Sequence, residues 1–165
     1  YSLLGEPKYL RDYKNPAFIA SNVVEVWCNN YFLKDYQGDF LSNLIYYGKV
    51  MFFIKDVLPS NKFQNNLRFS KQQLDWLSDN ESKIWSFIIE NKLLFSQRER
   101  DYRSFFYYSP FVKGMPKEAP SRLGYFIGYK IVNSYMKNNK VSINELMLEN
   151  DYSKILNNSK YKPRK

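Results

Sequence analysis

Apolar residues recur along the chain at intervals of three and four and nowhere alternate over a strand-length run, so the pattern predicts helices. The residues through Tyr13, with Gly5 and Pro7 among aromatics, read as an irregular lead-in. Asn15 then stands as a helix cap and Pro16 at the first helical position, where its missing N–H costs nothing. Phe18, Ile19, Val23, Val26 and Trp27 follow at helical spacing, extending that helix to about Leu33. After Gly38, Asp39 caps a second helix whose inward face holds Phe40, Leu44, Tyr47, Met51 and Ile54, until Leu58-Pro59 stops it. Residues 60–69 read as a polar, exposed loop. Ser70 with Gln73 has the spacing of a capping box for a short helix carrying Leu74 and Leu77. Asp79 or Asn80 opens another, with Ile84, Trp85, Ile88 and Ile89 on one side.

Ser96 with Glu99 repeats the box spacing and predicts a helix to about Phe106. Pro110, Gly114, Pro116 and Pro120 then mark a loop ordered by packing rather than by regular hydrogen bonding. Pro120 starts a helix from 121 to about 136, in which Gly124 and Gly128 share one face. Each glycine costs about 1 kcal/mol relative to alanine inside a helix. Close approach of another backbone or an aromatic ring must therefore compensate, with Ile127, Ile131 and Tyr135 flanking the contact. Ser142 with Glu145 begins a short helix bearing Leu146 and Met147, and residues 152–156 add a turn or two. The expected architecture is mostly α: a single helical domain of about seven helices over residues 1–158, followed by a basic tail, 159–165.

A chain of 165 residues suits one domain and can bury roughly 70% of its unfolded surface. With hydrophobic residues at 44% and aromatics at 19%, the composition excludes a disordered chain. The net charge of +9 attracts anionic partners in general, but its only dense cluster is Lys160, Lys162, Arg164 and Lys165. No nucleic-acid partner is expected, because such modules concentrate their basic residues on one recognisable element. Cys28 is the single cysteine, which rules out an intrachain disulfide and a multi-cysteine metal site. The longest apolar runs, 44–54 and 125–132, are short and carry Lys49 and Lys130, so neither spans a bilayer. The chain opens at Tyr1 with no signal sequence, so a leader or lipid-bearing cysteine is expected upstream, in an N-terminal region absent from this chain.

Several motifs lie in one order along the chain. Leu44-Ile45-Tyr46-Tyr47-Gly48-Lys49 comes first, then Gln73-Leu74-Asp75-Trp76 and Ile84-Trp85. Ala119-Pro120-Ser121-Arg122-Leu123-Gly124-Tyr125-Phe126-Ile127-Gly128-Tyr129-Lys130-Ile131-Val132 follows, then Ser134-Tyr135-Met136 and Ser159-Lys160-Tyr161-Lys162-Pro163. Taken together they resemble the C-terminal part of the GldB family of cell-envelope lipoproteins of gliding Bacteroidetes, over nearly the whole chain. The chain departs from that pattern at Tyr108-Ser109-Pro110-Phe111, at Ser121, and at Tyr125-Phe126 and Tyr129, where the family has tryptophans. The resemblance implies a lipid-anchored, periplasm-facing protein whose partners are the gliding motility and type IX secretion machinery. It implies no membrane contact except through the anchor.

GldB is also distantly similar to zinc peptidases of the gluzincin type, which place H-E-x-x-H on one helix and a glutamate ligand on a later one. Superposed on that pattern, Val24-Glu25-Val26-Trp27-Cys28 falls on the zinc helix and Tyr47-Gly48-Lys49-Val50 on the glutamate-bearing segment. The chain contains no histidine, so every ligand position is replaced and no metal or other cofactor is expected. Val24, Glu25, Cys28 and Tyr47 are thus degenerate peptidase-like positions. Glu25 has no metal-bound water to activate and Cys28 no imidazole to deprotonate it; they read as a helix carboxylate and a small buried residue. The binding candidates are Tyr46, Gly48, Lys49, Pro120, Arg122, Gly124, Gly128 and Tyr129. Lys49 reads either as a cleft residue or as a snorkelling stem, and Arg122, beside a positive helix end, calls for a carboxylate or a partner. The expected function is therefore a non-catalytic envelope scaffold or partner-binding domain. The alternatives are a non-zinc hydrolase using Glu25 or Cys28, and an anionic-surface binding module using the tail.

Overall fold

The computed structural model describes Gly5, residues 14–32 and residues 38–163. Apart from Gly5, the lead-in through Tyr13 lies outside the described residues, as do Leu33 and the tail residues Arg164 and Lys165. Nine α-helices and no strand are present among the described residues: α1 Ile19–Phe32, α2 Phe40–Val57, α3 Phe63–Leu67, α4 Lys71–Asp79, α5 Glu81–Glu90, α6 Glu99–Tyr102, α7 Leu123–Asn138, α8 Ile143–Leu148 and α9 Tyr152–Ser159. The count exceeds seven because α3 occupies a stretch expected to be loop and the last turns form a complete α9.

Local chemistry places most of the helix starts. The Asn15 side chain accepts from Ala17 N at 3.0 Å with Pro16 next in line, and Asp39 Oδ1 accepts from Ser42 N at 2.7 Å. The reciprocal boxes form at Ser70 with Gln73 and at Ser142 with Glu145. Each such cap contributes about 1 kcal/mol. The box expected at Ser96 and Glu99 does not form, because Ser96 is committed elsewhere. Its carbonyl accepts from Phe40 N at 3.0 Å and its N–H donates to Leu93 O at 2.8 Å. The helix expected there splits into the single-turn α6 and a 3-10 turn, Arg103–Phe105.

The core is organised by α2 and α7. Phe40, Leu44, Ile45, Val50, Met51 and Ile54 of α2 are all buried, so this helix is enclosed nearly all round. α7 crosses it where Gly48 meets Gly128. A Cβ on Gly128 would lie 3.1 Å from Gly48 Cα and nearer still to Leu44 O; one on Gly48 would lie 2.9 Å from Gly128 Cα and nearer still to its carbonyl. One turn earlier, Gly124 faces the Phe106 ring and Phe105 O. The two glycines of α7 are thus compensated as expected, one by a backbone and one by a ring. α9 packs against both central helices, and Ser134 Oγ of α7 donates to its Ser159 O at 2.7 Å. Packing continues to Tyr161, whose hydroxyl donates to Glu81 Oε1 at 2.9 Å and whose ring stands edge-on to Trp85.

Three further expectations need correction. α7 begins at Leu123 and not at 121, because Arg122 takes a left-handed conformation (φ 63°) that an α-helix cannot include. The apolar residues whose spacing predicts α1 do not all turn inward. Phe18 and Cys28 are buried, but Ile19, Val23 and Val26 are 60%, 63% and 60% exposed. The face of α1 that meets the domain sets polar Ser21, Asn22, Glu25 and Asn29 beside Val24, Cys28 and Phe32, with Ser21 Oγ donating to Asn65 O at 3.1 Å. Residues 60–69 are not an exposed polar loop, since Asn66, Leu67, Arg68 and Phe69 are buried.

Candidate functional site

The polar residues on the inner face of α1 lead to the main cluster of buried charge. α1 carries Glu25 toward α2 and α7, and Arg68, in the left-handed cap of α3 (φ 57°), turns its side chain into the same space. Arg68 Nη1 pairs with Glu25 Oε2 and donates to Asn22 Oδ1 at 3.1 Å. Its Nη2 lies 3.8 Å from Met51 Sδ, and among the described residues its buried Nε has no hydrogen-bond partner. Glu25 Oε1 accepts from the Tyr125 hydroxyl of α7 at 3.0 Å. The Tyr125 ring stacks on Tyr47 of α2 with centroids 4.4 Å apart.

On the other side of Tyr125 lies Arg122, with its guanidinium carbon 4.0 Å from the Tyr125 centroid and 4.7 Å from that of Tyr108. Arg122 Nη1 donates to the Tyr108 hydroxyl at 2.9 Å. The carboxylate anticipated beside Arg122 is not its contact, and among the described residues it makes no ion pair. Ring faces hold this buried cation, an interaction of about 2 kcal/mol where water is excluded. One guanidinium thus pairs with the carboxylate, and the other is held by aromatic quadrupoles on the far side of Tyr125.

The electrostatics follow from this burial. Burial, and then the charge of Glu25, pushes the Tyr125 hydroxyl well above the usual phenol range. Burial raises Tyr47 to about 12. Burial also raises the Cys28 thiol to about 12, with Glu25 adding to the effect, so Cys28 stays a neutral thiol at neutral pH. Burial lowers Arg122, but Tyr125, Tyr108 and Glu25 raise it by more, and it stays charged. Both Glu25 oxygens are engaged in charge-assisted or phenolic bonds, the chemistry of an ion-pair partner.

Of the residues singled out in the sequence, Glu25, Tyr47 and Arg122 meet around Tyr125. Cys28 lies one turn along α1 from Glu25, fully buried, and Val24 is half-buried against the core. Tyr46 donates to Asn29 Oδ1 at 2.7 Å and so ties α2 to α1. Gly48, Gly124 and Gly128 serve the helix crossing, Pro120 is buried in the loop before Arg122, and Tyr129 packs on Phe63. Lys49 does not snorkel. It is 1% exposed, donates to Glu149 O at 2.8 Å, and lies 5.5 Å from the Tyr152 ring centroid. Burial lowers its ammonium to about 8, against an opposing pull from Glu149. Sequence reasoning missed Arg68, whose only signal is the pair of apolar residues, Leu67 and Phe69, on either side of it. Tyr108 and Tyr125 stood out only as departures from a motif.

Fold and site together define an all-helical domain pinned by a buried arginine–glutamate–tyrosine cluster. The family model described as "Gliding motility protein GldB" matches residues 1–163, and the chain belongs to that family. No curated protein and no solved structure matches the chain. Among the described residues, no helix is long and apolar enough to cross a membrane.

Proposed function

We propose that this chain is a non-catalytic component of the gliding apparatus: a lipid-anchored cell-envelope domain, facing the periplasm and working with the type IX secretion machinery. Its peptidase-like positions are those of an ancestral active site, converted into part of a scaffold or partner-binding domain. Membership of the gliding motility family supports the motility role. The observation that supports the non-catalytic reading is the state of Glu25, the residue that the superposition on a gluzincin puts at the general base. Here it pairs with Arg68 and accepts from Tyr125, in a chain without a histidine. A carboxylate with both oxygens so engaged is held as an ion-pair partner rather than poised as a general base.

The test is elemental analysis of the purified protein together with a peptidase assay on an unstructured substrate. Neither stoichiometric zinc nor cleavage is expected, and tightly held zinc with peptide cleavage would overturn the reading. A second experiment separates it from a hydrolase that uses Glu25 or Cys28. In a gliding cell, Glu25→Gln and Cys28→Ser should impair motility only as far as they lower the melting temperature. Loss of motility at unchanged stability would favour the hydrolase.

A further inference from the structure

Away from the Glu25 cluster, and sharing no residue with it, a cleft of about 1000 Å³ opens between the end of α5, the turn after it, α6 and the loop before α7. Its walls are apolar for a structural reason. Lys92 adopts a left-handed conformation (φ 53°), which reverses the chain after α5 into a 3-10 turn, Leu93–Phe95. That turn buries Leu93 and so aims Phe95 outward, 73% exposed, beside Ile89 at 46%. Phe87 and Ile88 complete the apolar wall. Single exposed apolar side chains are ordinary, but several lining one cleft mark an interaction site.

The rim is charged, and unequally so. Lys92, Arg98 and Lys113 line the cleft against one carboxylate, Asp101. Asp101 is shared, with Arg98 Nε at 3.1 Å and Lys113 Nζ at 3.0 Å, and both cations hold its carboxyl below the usual range. Among the described residues Lys92 has no ion-pair partner, and the Gln97 side chain makes no hydrogen bond. The cleft therefore offers apolar wall, surplus positive charge and an exposed amide in one place.

We propose that this cleft binds an acidic peptide segment of a partner protein, anchored by an aromatic or branched apolar side chain against Phe95 and Ile89, with a carboxylate on Lys92. The surplus of cations selects the charge of the occupant, and the exposed Gln97 amide is placed to pair with a peptide backbone group. The proposal stands apart from the pseudo-peptidase reading, because neither Phe95 nor Lys92 belongs to the Glu25 cluster.

The experiment pans a displayed library of random peptides against the whole chain, with Phe95→Ser as the counter-selection target, and then measures the affinity of the enriched peptides. Phosphatidylglycerol vesicles serve as a second probe. Enrichment of peptides that combine Asp or Glu with Phe, Trp or Leu is expected. Phe95→Ser should weaken them about tenfold and Lys92→Glu by a similar factor, while added salt weakens wild-type binding. Both side chains are exposed, and circular dichroism checks that each variant is folded. Enrichment of basic or uncharged peptides, affinities unchanged by Phe95→Ser, or no enrichment at all would overturn the proposal. So would vesicle binding that Phe95→Ser abolishes in the absence of peptide binding, which assigns the cleft to lipid.

Discussion

Tyr125 donates its hydroxyl proton to Glu25 at 3.0 Å, joining residues 100 positions apart in the chain. With Arg68 on the other carboxylate oxygen, this bond locks α1 to α7 and to the cap of α3. The cluster is internally dependent, since each charge is tolerable in the interior only while its partner is present.

Glu25→Ala therefore removes more than one contact. It strands the Arg68 guanidinium, whose side chain is 2% exposed and whose Nε already has no partner among the described residues. A loss of about 3–5 kcal/mol is expected from breaking a buried pair on one side. Tyr125→Phe removes one hydrogen bond and should cost about 1 kcal/mol. Urea denaturation of the two variants measures both, and equal effects would mean that Arg68 finds water when Glu25 is gone.

Gly128→Ala reverses the usual sign of a helix substitution. In an open helix the exchange gains about 1 kcal/mol. Here the new methyl meets Leu44 O and Gly48, both backbone, so α2 and α7 must separate, and a net loss of about 2–3 kcal/mol is expected. Gly48→Ala meets the Gly128 carbonyl and should behave alike. Because the two share one contact, the double variant should lose less than the sum, which a double-mutant cycle by thermal or urea unfolding reads directly.

These positions also show what sequence makes legible. Gly124 and Gly128 announce a close crossing, because glycine inside a helix is costly unless something approaches it. Asp39, Ser70 and Ser142 announce helix starts, because a cap acts within three residues. The site was legible only in part. Glu25 and Tyr47 sit on predicted helices, but Arg68 reaches them from a turn whose burial depends on distant packing. α1 misleads by the same logic: spacing marks an apolar stripe, and only the neighbours determine whether that stripe or the Ser21–Glu25 side faces inward.

Cys28 should be inert in the folded protein. Its thiol is inaccessible and raised to about 12, so attack on a disulfide reagent requires unfolding, local or global. The rate of labelling by a thiol-reactive disulfide should follow urea concentration together with the unfolding signal. Rapid, stoichiometric labelling of native protein would contradict the burial and would reopen Cys28 as a nucleophile.

Lys49 gives a pH dependence with a definite sign. Its folded ammonium titrates at about 8, below the ordinary 10.5 it recovers on unfolding. Between those values the unfolded chain binds more protons, so this residue's contribution to stability rises with pH through the window. Below pH 8 both states are charged and the full penalty is present, about 3 kcal/mol for that difference. Buried tyrosines act in the opposite sense. Tyr46, Tyr125, Tyr152 and Tyr161 ionise more readily once unfolded, and they lower stability as pH approaches their ordinary value near 10. The measurement is therefore the difference between wild type and Lys49→Met, which keeps the stem, removes the charge and leaves the Glu149 carbonyl without its donor. The variant should be at least as stable at pH 7, because replacing a buried charge by an apolar side chain of similar length offsets the lost hydrogen bond. Its advantage should then shrink steadily from pH 8 to 10, and a gap that stays constant across that range would mean that Lys49 is not held in the lowered state.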